Sequence, residues 1–178
     1  FSFSHENLLN HTFCEILDHC DDTELYLCFE FQLGDGATMR ILIAEDSGIR
    51  AQLVEAFTDL GDPRIEVVSV RSGFGWKELI DRGEYFDAVI ADIIMPVESE
   101  GLDFHHTGIR LVRSQLEKGL VGFVIMLSVR VPELREDIAE LDRQHNNVHV
   151  IGKNKGGYPA PESIVQIVLA ELSPSNED

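Results

Sequence analysis

Cysteine, tryptophan and basic side chains are all scarce in this 178-residue chain. The three cysteines, Cys14, Cys20 and Cys28, all lie near the start. An odd number so placed does not make a disulfide framework, and a reducing, cytoplasmic setting fits it best. No apolar run reaches the roughly eighteen residues needed to cross a bilayer. The first residues also lack the basic-then-apolar order of a signal peptide, so no membrane partner is expected. Lys and Arg number 14 against 32 Asp and Glu, for a formal net charge of −18. Polyphosphate backbones are bound through cations, so no nucleic-acid partner is expected either. What the chain does have is 44% hydrophobic residues, enough to bury the core of one domain with an appendage.

From Met39 onward, apolar strands alternate with amphipathic helices. The run Arg40-Ile41-Leu42-Ile43-Ala44 reads as a strand that ends in an acidic pair, Glu45-Asp46. Ser47 is placed to cap a following helix through Leu60, with Ile49, Leu53 and Phe57 on one face. Ile65 to Val70 reads as a flanking strand, and Trp76 to Arg82 as a short helix. Phe86 to Ala91 is a buried strand that delivers Asp92 to its carboxyl end, before Ile93-Ile94-Met95-Pro96. Gly108 to Lys118 reads as a helix with Ile109, Val112 and Leu116 inward. Phe123 to Leu127 is a strand ending in Ser128, and Pro132 opens a helix to about His145. Val148 to Gly152 is a strand ending in Lys153. Pro161 then opens a last helix with Ile164, Val168 and Leu172 on one face. Strands and helices alternating at these spacings imply a parallel sheet covered on both sides.

Strand ends thus present an acid pair, an acid, a hydroxyl and a lysine, in that order. This resembles the receiver domain of two-component response regulators, over roughly Met39 to Leu172. The resemblance implies a flavodoxin-like three-layer αβα fold, with a five-stranded parallel sheet of order 2-1-3-4-5. It implies that ligands gather outside the carboxyl ends of the strands. It also implies a function: Asp92 accepts a phosphoryl group from a histidine kinase or phosphotransfer protein. Glu45, Asp46, Asp92 and the backbone carbonyl of Ile94 would hold Mg²⁺ or Mn²⁺, with Glu45 acting mainly through water. Lys153 would pair with a phosphoryl oxygen, and Ser128 would hydrogen-bond to the phosphoryl group. A signalling module of this kind is not an enzyme beyond its own phosphorylation and dephosphorylation.

Several positions depart from the family pattern. Asn154 stands where Pro usually follows the lysine, and the nearby Lys155 is a rival for Lys153. Val150 replaces the aromatic switch residue. Val129, bulkier than the usual Ala or Gly, would shield the phosphoryl group from water. The 97–107 loop is longer than the usual connection, as partner-binding loops tend to be. Two alternatives stay open. One is a degenerate receiver that only mediates assembly. The other is a haloacid-dehalogenase-type phosphatase, which needs Asp-x-Asp where this chain has Asp92-Ile93-Ile94. Zinc is disfavoured: His11, Cys14, His19 and Cys20 show no pair-and-pair spacing, and adjacent His105-His106 rarely share one ion.

Residues 1–38 are of another character, with eight acids and no Lys or Arg. They read as a helix followed by a strand from Leu25 to Leu33, either an N-terminal extension or the remnant of a preceding domain. Residues 173–178 form a polar tail too short for an output module. Output is therefore expected through a downstream protein partner, with a homodimer also compatible.

Overall fold

Strands that are apolar on both faces must be covered on both, and three segments here have that character. They become the centre of the sheet. The computed structural model describes residues 38–96, 107–128, 135–152 and 158–173. All belong to the second of two compact units, Phe31–Asp178. The expected helix and strand of the N-terminal extension lie outside the described residues. So do Val129, Pro132, Lys153, Asn154, Lys155 and the 97–106 part of the long loop.

The described residues hold five strands: β1 (Met39–Ala44), β2 (Ile65–Val70), β3 (Phe86–Asp92), β4 (Val121–Ser128) and β5 (Val148–Gly152). They pair in parallel in the order β2-β1-β3-β4-β5, the flavodoxin-like order that the resemblance implies. The central β1, β3 and β4 are almost wholly buried, while β2 and β5 are half-buried flanks. Among the described residues five helices link and follow them: α1 (Ile49–Asp59), α2 (Gly73–Asp81), α3 (Thr107–Glu117), α4 (Arg135–Gln144) and α5 (Pro161–Leu172).

The twofold period of a strand sorts the core into two layers. Ile41, Ile43, Ala88, Ile90, Phe123, Ile125 and Leu127 share one layer with Leu53 and Phe57 of α1 and Ile164 and Val168 of α5. Leu42, Ala44, Val89, Ala91, Val124 and Met126 share the other with Trp76 and Leu79 of α2, Ile109 and Val112 of α3, and Leu141 of α4. At about 25 cal/mol per Å² of apolar surface, a fully buried Leu or Ile contributes roughly 1.5–3 kcal/mol.

The starts of α1 and α2 differ from expectation. α1 begins at Ile49 with Gly48 at the cap and no side-chain cap bond, so Ser47 does not cap it. The Ser47 amide instead donates to Glu45 Oε1 at 2.9 Å, which draws the acid back over the turn. α2 begins at Gly73, earlier than the apolar period indicates, because Ser72 caps it by accepting from the Gly75 amide at 3.2 Å.

Two polar devices fix the layers. Inside the second layer, Trp76 Nε1 donates to Gln115 Oε1 at 2.8 Å, and Gln115 Nε2 reaches the Leu120 carbonyl at 3.3 Å. This joins α2 to α3 with both side chains buried. At the amino edge of the sheet, Arg40 donates to Glu66, Glu84 and the Tyr85 carbonyl, with its guanidinium 4.7 Å from the Phe86 ring centroid. Its own amide donates to Asp87 Oδ2 at 2.7 Å.

Candidate functional site

β1 and β3 lie side by side, with Ala44 in register with Ala91, so the residues just beyond them emerge together at the carboxyl edge. Those residues are Glu45, Asp46 and Asp92. Each can offer one carboxylate oxygen such that all three atoms lie within 4.8 Å of one another. The structure thus brings together the three acids singled out from the sequence.

Their surroundings are unequal. Glu45 has 0% of its surface exposed. Its amide donates to the Val70 carbonyl at 3.2 Å, holding β1 to β2 at this end. Its Oε1 accepts from Ser47, while the buried Oε2 has no hydrogen-bond partner among the described residues. Burial pushes the Glu45 carboxyl above the usual carboxylate range; the Ser47 bonds oppose this and neighbouring Asp46 adds to it. Asp46 is exposed. Asp92 is half-buried, and its Oδ1 accepts from the Ile94 amide at 2.9 Å. Burial first, then the charges of Glu45 and Asp46, push Asp92 up to about 7 against the bonds from Ile94 and Ile93. Without a counter-charge, the cluster resists holding its full negative charge.

Those observations fit a hard divalent cation. The donor set is all oxygen, as Mg²⁺ and Mn²⁺ prefer. A buried carboxylate oxygen with no donor is costly unless something positive meets it, and Glu45 Oε2 is such an atom.

The backbone after Asp92 is tied down at successive residues. The Ile93 amide donates to the Leu127 carbonyl at 3.0 Å, and the Gly108 amide donates to the Ile93 carbonyl at 3.1 Å. The Gly73 amide donates to the Pro96 carbonyl at 2.9 Å. α3 comes so close here that a Cβ on Gly108 would lie 2.1 Å from the Asp92 carbonyl oxygen. Only glycine permits that approach.

The remaining expected residues are placed less fully. Ser128 ends β4 beside Gly152 of β5, next to the Asp92–Leu127 register pair. Ile94 joins the site through its amide. Lys153 directly follows Gly152 and lies outside the described residues.

Sequence reasoning missed one residue, Tyr158. It precedes α5, is half-buried, and packs on the α1–α5 layer. Burial pushes its phenol well up, and Asp92, Glu45 and Asp46 each push it further, Asp92 most. No periodicity marks it; its only signal is its place between the lysine strand and the final helix.

No family model matches the chain, and no curated protein matches it in sequence. Solved structures do match. The chemotaxis response regulator CheY4 of Vibrio cholerae aligns with a TM-score of 0.54 at 19% identity, covering 76% of this chain and 100% of that one. RcsB of Salmonella enterica serovar Typhimurium, bound to promoter rprA in the presence of phosphomimetic BeF₃⁻, aligns at 0.51 and 20% identity. That match covers 78% of this chain and 70% of RcsB. The fold is that of response-regulator receiver domains. The isolated receiver domain of RcsB, also with BeF₃⁻, aligns at 0.51 and 17% identity over 78% of this chain and 94% of that one. The acid cluster stands at the carboxyl edge of the parallel sheet, the edge where ligands of open α/β sheets generally bind. No described helix is long and apolar enough to cross a membrane.

Proposed function

We propose that this chain is a phosphoaccepting receiver module, with Asp92 as the phosphoacceptor. The observation that carries the reading is the convergence of Glu45, Asp46 and Asp92 at the carboxyl edge, with Glu45 Oε2 buried and unpartnered. In the reaction, an Asp92 carboxylate oxygen forms a bond to phosphorus as the bond from phosphorus to the donor breaks. The donor leaves with the electron pair. Glu45, Asp46 and Asp92 would hold Mg²⁺ or Mn²⁺, with the Ile94 carbonyl as a further ligand. Bound there, the ion would supply positive charge against the phosphoryl oxygens.

The Ile94 amide orients Asp92 by holding its Oδ1 at 2.9 Å. Ser128 and Lys153 are assigned to phosphoryl oxygens, Ser128 as hydroxyl donor and Lys153 as a compact charge. The phosphodonor would be a histidine kinase or phosphotransfer protein, and the output a protein–protein contact. Such a module changes only its own covalent state.

Incubation with acetyl phosphate and Mg²⁺, followed by intact-mass spectrometry, tests this. The wild type should gain one phosphoryl group and Asp92→Asn none. Equal labelling of Asp92→Asn, or none of the wild type, would overturn the assignment.

A further inference from the structure

Ile94 is the member of the expected cation set that would offer a backbone atom, so no side-chain rotamer can aim it. The place of its carbonyl depends on the chain on either side. One residue earlier, the Ile93 carbonyl accepts from the Gly108 amide at 3.1 Å. Two residues later, the Pro96 carbonyl accepts from the Gly73 amide at 2.9 Å. Among the described residues, no backbone amide reaches the Ile94 carbonyl between them. The two donors come from different helices, α2 and α3, yet they share one support. Gly73 is buried, and a Cβ built on it would lie 2.5 Å from Cγ2 of Thr107, the buried residue just before Gly108. Its other neighbours leave ordinary room, with Leu111 Cδ1 at 3.5 Å and the Pro96 oxygen at 3.8 Å. With no side chain at Gly73, α2 brings its amide to Pro96 while Thr107 and Gly108 close on Asp92 and Ile93. Gly75, in the same turn, would meet nothing nearer than 3.5 Å at its own Cβ position.

We propose that Gly73 is a positioning residue for the cation, holding the Ile94 carbonyl in place from the start of α2. This rests on the cation site of the reading above and adds a residue that never touches the ion. A methyl group at Gly73 drives Thr107, a stiff β-branched side chain in a buried place, away from α2. That movement carries the Gly108 amide off the Ile93 carbonyl, and the same methyl shifts the α2 amide relative to Pro96. The Ile94 peptide is then released at both ends. Mg²⁺ demands near-ideal octahedral geometry, so a misdirected ligand weakens its hold.

Mg²⁺ affinity is measured by isothermal calorimetry on the full chain, beside the melting temperature without the ion. Gly73→Ala should weaken Mg²⁺ binding about tenfold or more, as is typical when the groups that orient metal ligands are changed. Gly75→Ala, the same change in the same turn, should leave the affinity at the wild-type value. Thr107→Ser trims the Cγ2 methyl and keeps the hydroxyl. Gly73→Ala combined with Thr107→Ser should therefore bind Mg²⁺ within about twofold of wild type. In the wild type, saturating Mg²⁺ should slow hydrogen exchange at the Gly73 and Gly108 amides, a measurement that needs no variant to fold. Gly73→Ala binding within about twofold of wild type overturns the proposal. So does an equal loss in Gly75→Ala, a double variant that regains melting temperature but not affinity, or Gly73 exchange unmoved by Mg²⁺. In each case Mg²⁺ binding by the wild type, abolished in Asp46→Ala, leaves the cation site standing. A wild type that binds no Mg²⁺ overturns that site and this proposal with it.

Discussion

Cation binding at the acid cluster should be strongly pH-dependent, because the same carboxyl must lose a proton before it can serve as a ligand. Asp92 is raised from an ordinary 3.8 to about 7 in the cation-free fold. With that value, roughly a tenth of the molecules carry an ionised Asp92 near pH 6 and roughly nine-tenths near pH 8. The apparent Mg²⁺ affinity should therefore rise about tenfold between those two conditions. Stability of the cation-free protein should move the other way. The folded pKa lies above the unfolded one, so the native state binds more protons between about pH 4 and pH 7, and stability from this group falls as pH rises through that window. The shift corresponds to at most about 4 kcal/mol, and to about half that once the partial exposure of Asp92 is allowed for. Mg²⁺ should cancel the loss by mass action. Scanning fluorimetry with graded Mg²⁺ near pH 6 and near pH 8 reads both effects. Asp92→Asn should raise the cation-free melting temperature near pH 8 and flatten the pH dependence. Equal Mg²⁺ midpoints at the two conditions would refute the reasoning, as would an Asp92→Asn protein no more stable than wild type near pH 8.

Other perturbations have defined outcomes. Asp46→Ala should abolish the Mg²⁺-dependent rise in melting temperature, and an undiminished rise would move the cation elsewhere. Gln115→Leu strands the buried Trp76 Nε1 donor and should cost about 1–3 kcal/mol in urea unfolding, without slowing phosphorylation beyond the effect of stability. Gly108→Ala places a methyl group against the Asp92 carbonyl and should cost about 2 kcal/mol or more, with slower labelling because the strand end must shift. Arg40→Met removes a four-way clamp at the opposite edge; a melting-temperature drop with normal Asp92 labelling is expected, and a labelling defect at full stability would contradict that separation.

The central strands were legible because burial on both faces leaves unbroken apolar runs such as Ile41-Leu42-Ile43 and Ala88-Val89-Ile90. The acids at their ends were legible because a charge that interrupts such a run must leave the core, and parallel register delivers neighbouring strand ends together. Helix starts were less so. Ser47 has the chemistry of a cap, yet its amide is claimed by Glu45 Oε1, and that choice depends on the burial of Glu45. Gly73 carries no apolar signal, so the first turn of α2 is visible only through Ser72 and Gly75. Tyr158 was hidden for a different reason. Its environment is set by how α5 packs on α1, a long-range matter that no local pattern encodes. Gly108 looked like a helix start, whereas its decisive property is the absence of a Cβ beside the Asp92 peptide.

The bonds from the Gly73 amide to Pro96 and from the Gly108 amide to Ile93 have a consequence for how this chain tolerates change. They secure the polypeptide just before residue 97 and just after residue 107, on either side of the long connection. Lengthening a connection between fixed points is cheap, about 0.6 kcal/mol for each doubling. The two anchors separate the history of that connection from the geometry of Asp92. Insertions, deletions or a grafted epitope can accumulate there while the strand end keeps its place, so the segment is free to diversify toward new partners without renegotiating the chemistry beside it.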